Sequence, residues 1–313
     1  MAELPKGFNE YYVDCGEVRL HVVTNGIRGA DGTLADDRPA IVFLHGFPEY
    51  WAGWKPVFTQ LAQEFLVIAP DQRGYNLSDA PQPVEAYGAR HLVADILTLA
   101  TRLLGERKFI LAGHDWGASV AYALAIGAPE RLNGLVIANG VHPVVFQRAL
   151  IGDREQAEAS QYFHRLRMPR AAERMAENNY ATTLGMLEKF SLTAWMNDKE
   201  RAGYREAWSQ PGRLNAMLNW YRATPLVVPK SGEAPGEAPL ATAPAEKFQV
   251  PMPHLLIWGD ADQALRPSSH QGLEAFAPHL KRVAIAGADH WLIHTHGEKI
   301  AMEIRRFAEG IVS

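Results

Sequence analysis

Cysteine is almost absent from this 313-residue chain. Cys15 alone excludes an intramolecular disulfide, and with it a thiolate metal cluster or a redox-active pair. Also missing is any run of about 20 apolar residues, so no membrane-spanning helix is expected. Met1 to Tyr11 carries Glu3, Lys6 and Glu10 where a secretory leader would need an apolar core. An excess of one charge is lacking too: 31 Lys and Arg stand against 35 Asp and Glu, a net charge of -4 with a pI near 6.3. That balance removes the electrostatic basis for nucleic acid or an anionic membrane as partner. No internal repeat or heptad is present. These absences lead to an expectation of a soluble, cytoplasmic protein acting on a small neutral molecule, compatible with a homo-oligomer.

What is present is an ordinary globular composition, 47% hydrophobic and 21% charged. Short apolar, β-branched runs recur at Val18 to Val23, Ala40 to Leu44, Phe65 to Ala69, Phe109 to Ala112, Leu135 to Ala138, His254 to Trp258 and Arg282 to Ala286, and each predicts a strand. From the second onward they alternate with helical stretches such as His91 to Leu104 and Ala118 to Ile126, the pattern of a parallel sheet built from βαβ units. Fully apolar strands imply a sheet covered on both faces. Val141 to Val250 breaks the alternation with helix-like sequence rich in Ala, Arg, Glu, Met and Trp, and reads as a helical insertion. Its tail, Pro225 to Pro244, is rich in Pro, Ala and Gly and predicts an exposed connector.

Ligands of open parallel sheets bind beyond the carboxyl ends of the strands. Gly113-His114-Asp115-Trp116-Gly117 falls there, between a strand and a helix, as a nucleophile elbow requires, with aspartate at the place of serine. Gly113 and Gly117 permit the tight turn. The competing reading, an aspartate that merely caps a helix, accounts for many isolated cases. A carboxylic acid of ordinary pKa, about 3.9, is ionised near neutral pH and can attack a saturated carbon without first losing a proton. The product is an alkyl ester, and a base is then needed only to activate the water that cleaves it.

Among 12 histidines, His290 in Ala288-Asp289-His290-Trp291 follows the last predicted strand, where a loop can carry it over the sheet edge. His294 and His296 lie deeper in the next helical segment and read as solvated. Of the two carboxylates in Trp258-Gly259-Asp260-Ala261-Asp262, Asp262 is preferred as the orienting acid, since Asp260 is expected to be spent on turn hydrogen bonds. His45-Gly46-Phe47-Pro48 ends an earlier strand and turns sharply. In an elbow of this kind one oxyanion-hole N–H comes from that loop and the other from the residue after the nucleophile, which makes them Phe47 and Trp116. His45 reads as a brace for the turn, not a base or metal ligand.

Together, Phe43-Leu44-His45-Gly46-Phe47-Pro48-Glu49, Ala69-Pro70-Asp71-Gln72-Arg73-Gly74-Tyr75 and the elbow resemble the core motifs of soluble-type epoxide hydrolases of the α/β-hydrolase family, over nearly the whole chain. Asn219-Trp220-Tyr221-Arg222 is similar to the family's signature around one cap tyrosine. The second family tyrosine is best matched by Tyr162 in Gln161-Tyr162-Phe163, with Tyr180 as the alternative. The resemblance implies an α/β-hydrolase fold: a mostly parallel, largely eight-stranded sheet flanked by helices, with core at 1–140 and 251–313, a helical cap at 141–224 and a connector at 225–250. It also implies a metal-free, cofactor-free hydrolysis in which Tyr162 and Tyr221 hold the oxygen of a small hydrophobic epoxide, Asp115 attacks, and water activated by His290 and Asp262 releases a diol. Phenols suit that task because they stay protonated at neutral pH.

Two other readings remain open. A haloalkane or haloacetate dehalogenase shares the aspartate elbow, and Trp116 with Trp195 or Trp208 would then bind halide through indole N–H groups. Against it stand Phe47, where many dehalogenases place Asn, and the Asn219-Trp220-Tyr221-Arg222 signature. A ligand-binding protein on a hydrolase scaffold is the other, since fold alone does not decide function.

Overall fold

The computed structural model describes residues 2–191 and 195–312. Eight strands form one sheet: β1 (Asn9–Asp14), β2 (Arg19–Thr24), β3 (Ala40–Leu44), β4 (Leu66–Pro70), β5 (Phe109–His114), β6 (Leu132–Ala138), β7 (His254–Gly259) and β8 (Leu280–Ile285). Their order is β1-β2-β4-β3-β5-β6-β7-β8, with β2 antiparallel to both of its neighbours, β1 and β4, and every other pairing parallel. Every residue of β3, β4, β5 and β7 is buried, as expected of central strands covered on both faces.

Strand β1 escapes the apolar-run criterion. Its sequence Asn-Glu-Tyr-Tyr-Val-Asp lies at the sheet edge and is largely exposed, so hairpin pairing with β2 supplies its order where burial does not. Helix α1 (Ala89–Leu104) follows β4 and turns Leu92, Ile96, Leu99 and Leu103 inward at helical spacing. Helix α2 (Trp116–Gly127) starts directly from the end of β5.

Between β6 and β7 the chain is helical: α3 (Pro143–Gly152), α4 (Tyr162–Arg167), α5 (Ala171–Lys189), α6 (Asp198–Ser209) and α7 (Arg213–Ala223). Non-helical backbone at Glu177 to Tyr180 interrupts α5. Helix α6 opens with a reciprocal capping box between Asn197 and Glu200. This insertion is pinned to the loops at the carboxyl ends of the strands. The Trp220 indole donates to the Arg73 carbonyl at 3.0 Å and the Trp208 indole to the Pro48 carbonyl at 2.7 Å. The connector departs from the expected exposed segment. Ser231 to Glu237 is exposed, but Ala241 is buried, with its carbonyl accepting from Arg148 Nε at 2.8 Å. No helix among the described residues is long and apolar enough to cross a membrane.

Candidate active site

The strand order brings the ends of β3, β5, β7 and β8 to one side of the sheet, and four sequence-distant loops meet there. Asp115 occupies the turn from β5 to α2 with φ 50° and ψ -121°, a left-handed conformation that costs a non-glycine residue roughly 1–3 kcal/mol. The neighbouring glycines explain how the turn closes. A Cβ on Gly117 would lie 2.1 Å from the Leu44 carbonyl oxygen, and one on Gly46 would lie 2.4 Å from Asp115 Cβ. A side chain on Gly113 would likewise press into the start of α2, 2.7 Å from Ala118 Cα. Each glycine is therefore set by close packing of backbone on backbone or on Asp115.

Asp115 Oδ1 accepts the Phe47 amide at 2.7 Å, and Oδ2 faces His290 Nε2 at 3.5 Å. On the other side of the imidazole, Nδ1 lies 2.8 Å from Asp262 Oδ2. Asp262 is held from behind: Oδ1 accepts the amides of Ala264 at 2.7 Å and Leu265 at 2.9 Å, and Oδ2 accepts Asn139 Nδ2 at 2.7 Å. Asn139 in turn accepts the Gly259 amide at 2.7 Å. Burial alone would lower the His290 pKa, but the negative charges of Asp262 and Asp115 outweigh it and raise the pKa well above the ordinary value. Asp260 is engaged in the turn, accepting the Gly287 amide at 2.7 Å. Trp116 is the first residue of α2, so its amide lies among those that have no acceptor within the helix.

His45 is fully buried, with Nδ1 3.0 Å from the Gly46 carbonyl and Nε2 accepting the Gln72 amide at 3.1 Å. Both nitrogens serve turn geometry, and burial lowers its pKa, which keeps the ring neutral. Pro48 follows a cis Phe47–Pro48 peptide.

The two tyrosines lie close to Asp115. Tyr221 on α7 sits edge-on to Phe47, Phe163 and Trp116, with centroids 4.9, 4.9 and 5.0 Å away. Tyr162 opens α4, lines the same small space as Asp115, and has its ring centre 6.1 Å from that of Tyr221. Burial pushes both phenols well up, and the charge of Asp115 adds to the effect, so both remain protonated donors. Tyr180 is placed elsewhere, in the interruption of α5 against Trp208. The Trp208 indole, a halide donor in the dehalogenase reading, is used by the Pro48 carbonyl, and Trp195 stacks on His294. Among the described residues no group of three or more His, Cys, Asp or Glu side chains is arranged to hold a metal.

Sequence reasoning missed a buried polar cluster beneath the site. Glu49 Oε2 lies 3.2 Å from His114 Nδ1, while Oε1 lies 2.6 Å from His294 Nε2 and accepts the Tyr204 hydroxyl at 3.1 Å. His114 Nε2 lies 2.8 Å from the His290 carbonyl. One carboxylate thus ties the Phe47 loop, the elbow, the His290 loop and the helical insertion together. Burial by itself would raise the Glu49 pKa, yet His294 and His114 hold it far below the usual carboxylate range. The expectation of a solvated His294 is corrected: its side chain is largely buried because Glu49 draws it inward and Trp195 covers it with ring centroids 3.7 Å apart. Both Glu49 and His114 stand inside quoted motifs, but only the meeting of two loops makes them partners.

A carboxylate on a tight strand-to-helix turn, faced by a His–Asp pair and an inward N–H, defines a hydrolase of the α/β class. Comparison with known proteins agrees. The family described as the alpha/beta hydrolase fold matches residues 39–297. The AB hydrolase superfamily protein YfhM of Bacillus subtilis (strain 168) is 36% identical over 285 residues, covering 90% of this chain and 92% of that protein. Epoxide hydrolase 4 of Mus musculus is 29% identical over 282 residues, covering 88% of this chain and 72% of that protein. Among solved structures, one described as novel epoxide hydrolases of the alpha/beta hydrolases superfamily in metagenomes from hot environments superposes with a TM-score of 0.84 at 33% identity, covering 96% of this chain and 98% of that one. The chain belongs to the α/β-hydrolase family.

Proposed function

We propose that this hydrolase opens a small hydrophobic epoxide to a vicinal diol through a covalent ester of Asp115, with water as the second substrate and no metal or cofactor. The observation that carries the reading is the pair of phenols, Tyr162 and Tyr221, with ring centres 6.1 Å apart and Tyr162 lining the same space as the Asp115 carboxylate. The alkoxide formed by ring opening stays attached to the substrate and needs a donor, whereas a departing halide needs no proton. The epoxide hydrolase names of several relatives support the same reading.

In this mechanism Asp115 Oδ2 attacks a ring carbon while Tyr162 and Tyr221 donate to the ring oxygen, and Oδ1, held by the Phe47 amide, becomes the ester carbonyl oxygen. Esterification removes the Asp115 charge that helped raise the His290 pKa, so the imidazolium gives up its proton, which replaces the one the phenols pass to the new alkoxide, and His290 is left as a neutral base. His290, oriented by Asp262, then takes a proton from water. The hydroxide oxygen adds to Asp115 Cγ, and the oxyanion on Oδ1 is held by the amides of Phe47 and Trp116. Collapse breaks the Cγ–Oδ2 bond, the alkoxide leaves as the diol with the proton from His290, and the regenerated Asp115 carboxyl passes its own proton to the imidazole. The helical insertion acts as a cap that keeps bulk water from the ester.

A single turnover in oxygen-18 water, with enzyme in excess of a styrene-type epoxide, tests the reading. Label is expected in the Asp115 carboxylate and not in the first diol. Label in that diol with an unlabelled enzyme would remove the covalent step.

A further inference from the structure

A chamber of about 330 Å³ lies between the core and the helical insertion, and Asp115 is not among its walls. Tyr50, Ala52 and Lys55 bound it from the core, Trp195 and Tyr204 from the insertion, and His294 from the segment that follows His290. Its volume is about twice that of an apolar cavity known to admit benzene, about 150 Å³. Several walls are flat and aromatic. Tyr50 stands edge-on to Tyr204 with ring centroids 5.3 Å apart, and Trp195 stacks on His294 at 3.7 Å. Walls of this kind receive a flat apolar group.

The polar groups around the chamber divide into those already spent and those still able to donate. The Tyr204 hydroxyl and His294 Nε2 are both engaged by Glu49 Oε1. Of the two carboxylates in the lining, Glu3 pairs with Lys199 Nζ at 2.7 Å, and Glu200 accepts the Asn197 amide at 2.7 Å in the capping box. Lys55 is left with a neutral acceptor: its ammonium, on a half-buried side chain, donates to the Glu3 carbonyl at 2.8 Å and forms no ion pair among the described residues. An ammonium has three hydrogens to give, so donors remain. Desolvation and the charge of Lys199 lower the Lys55 pKa, which means that the nearby carboxylates do not compensate its charge. The Trp195 indole N–H is buried and has no acceptor among the described residues. Leaving such a donor unsatisfied is costly. One charged donor and one neutral donor therefore face a chamber whose carboxylates are occupied elsewhere.

We propose that this chamber is a second ligand site, which takes a small aromatic carboxylate. The ring lies against Tyr50 and Tyr204, the charge is met by Lys55, and the carboxylate oxygens supply the acceptor that Trp195 lacks. A neutral ring leaves the Lys55 charge uncompensated, and a cationic one adds to the charges of Lys55 and Lys199. The proposal does not depend on the epoxide reading, and the negative charge of Asp115 repels such a ligand from the elbow.

The test titrates the full chain with benzoate, benzamide and benzylammonium. Proton–nitrogen correlation NMR follows the indole N–H signals of the eight tryptophans, with that of Trp195 assigned from the Trp195→Phe variant. Benzoate is expected to bind with a Kd of about 1 mM or tighter and to move the Trp195 signal downfield, the mark of a new acceptor. Benzamide, close in shape but uncharged, should bind about tenfold more weakly, and benzylammonium more weakly still, the effect of losing one charge-assisted hydrogen bond. Lys55→Met should weaken benzoate to about the level of benzamide. Ala52→Phe, which fills the chamber from the core side, should abolish the shift. Circular dichroism shows whether each variant is folded. A Trp195 signal that benzoate leaves in place would overturn the proposal, as would either analogue binding as tightly as benzoate, or benzoate binding unchanged in both folded variants. The first two outcomes are read on the parent chain alone, so they decide the matter even if a variant fails to fold.

Discussion

Replacing Glu49 probes how the fold holds its site. The carboxylate is fully buried and takes hydrogen bonds from His114, His294 and Tyr204. Glu49→Leu would leave all three donors facing hydrocarbon. Each orphaned donor costs about 1–3 kcal/mol, and removing one side of a buried charged pair costs about 3–5 kcal/mol. With overlap between these figures, a loss of about 4 kcal/mol is expected, near 10 °C in Tm for a chain of this size. Glu49→Gln should be far milder. Its oxygen can still accept from Tyr204 and His294, and its amide can donate to His114 Nδ1 in the tautomer that carries its hydrogen on Nε2, the nitrogen that donates to the His290 carbonyl. A loss of about 1–2 kcal/mol is expected, the difference between charged and neutral hydrogen bonds. Urea denaturation followed by circular dichroism measures both, with kcat/KM on the same samples. Activity should follow stability only in the leucine variant, because His114 loses its orientation there and the His290 loop with it. A leucine variant within 1 kcal/mol of the parent, or a glutamine variant as damaged as the leucine one, would refute this account of the cluster.

Other consequences are simpler to read. Gly46→Ala should lower kcat by at least about tenfold, since the added Cβ would sit 2.4 Å from Asp115 Cβ and must displace the nucleophile; stopped-flow ester formation measures it. Tyr221→Phe keeps the ring packed on Phe47, Phe163 and Trp116, so Tm should hold within the effect of about 1 kcal/mol, while epoxide opening slows by roughly 10²-fold or more. Stability should also fall in acid. Burial lowers His142 to about 4 and His254 to about 3, whereas both take up a proton near 6.5 once unfolded. The unfolded chain thus binds more protons below pH 6.5, and each group withdraws stability as pH falls from 6.5 toward its folded pKa, by roughly 1 kcal/mol per pH unit. Denaturant midpoints from pH 7 to 5 check this, and His254→Gln should flatten the slope.

Legibility divided along a physical line. Strands β3 to β7 and the elbow follow from local pattern, because a run of apolar residues or a glycine-flanked turn declares itself within a few positions. Strand β1 does not, since its edge position leaves it polar. The preference for Asp262 over Asp260 could be argued from turn chemistry, and Asp260 indeed accepts the Gly287 amide. His294 could not be read, because its fate depends on a glutamate 245 positions away.

The sequence by itself determined the class of fold, the order in which Asp115, Asp262 and His290 arrive along the chain, and the presence of a carboxylate at the centre of the elbow. Those are properties of periodicity, turn sterics and residue type, and they are local. Only the tertiary structure decided which tyrosine joins Tyr221, because Tyr162 and Tyr180 lie in similar helical sequence and differ only in where their helices pack. It also decided that Asn139 holds Asp262 and that Glu49 joins four segments. Distances between loops are set by how whole layers pack, and no short stretch of sequence encodes them.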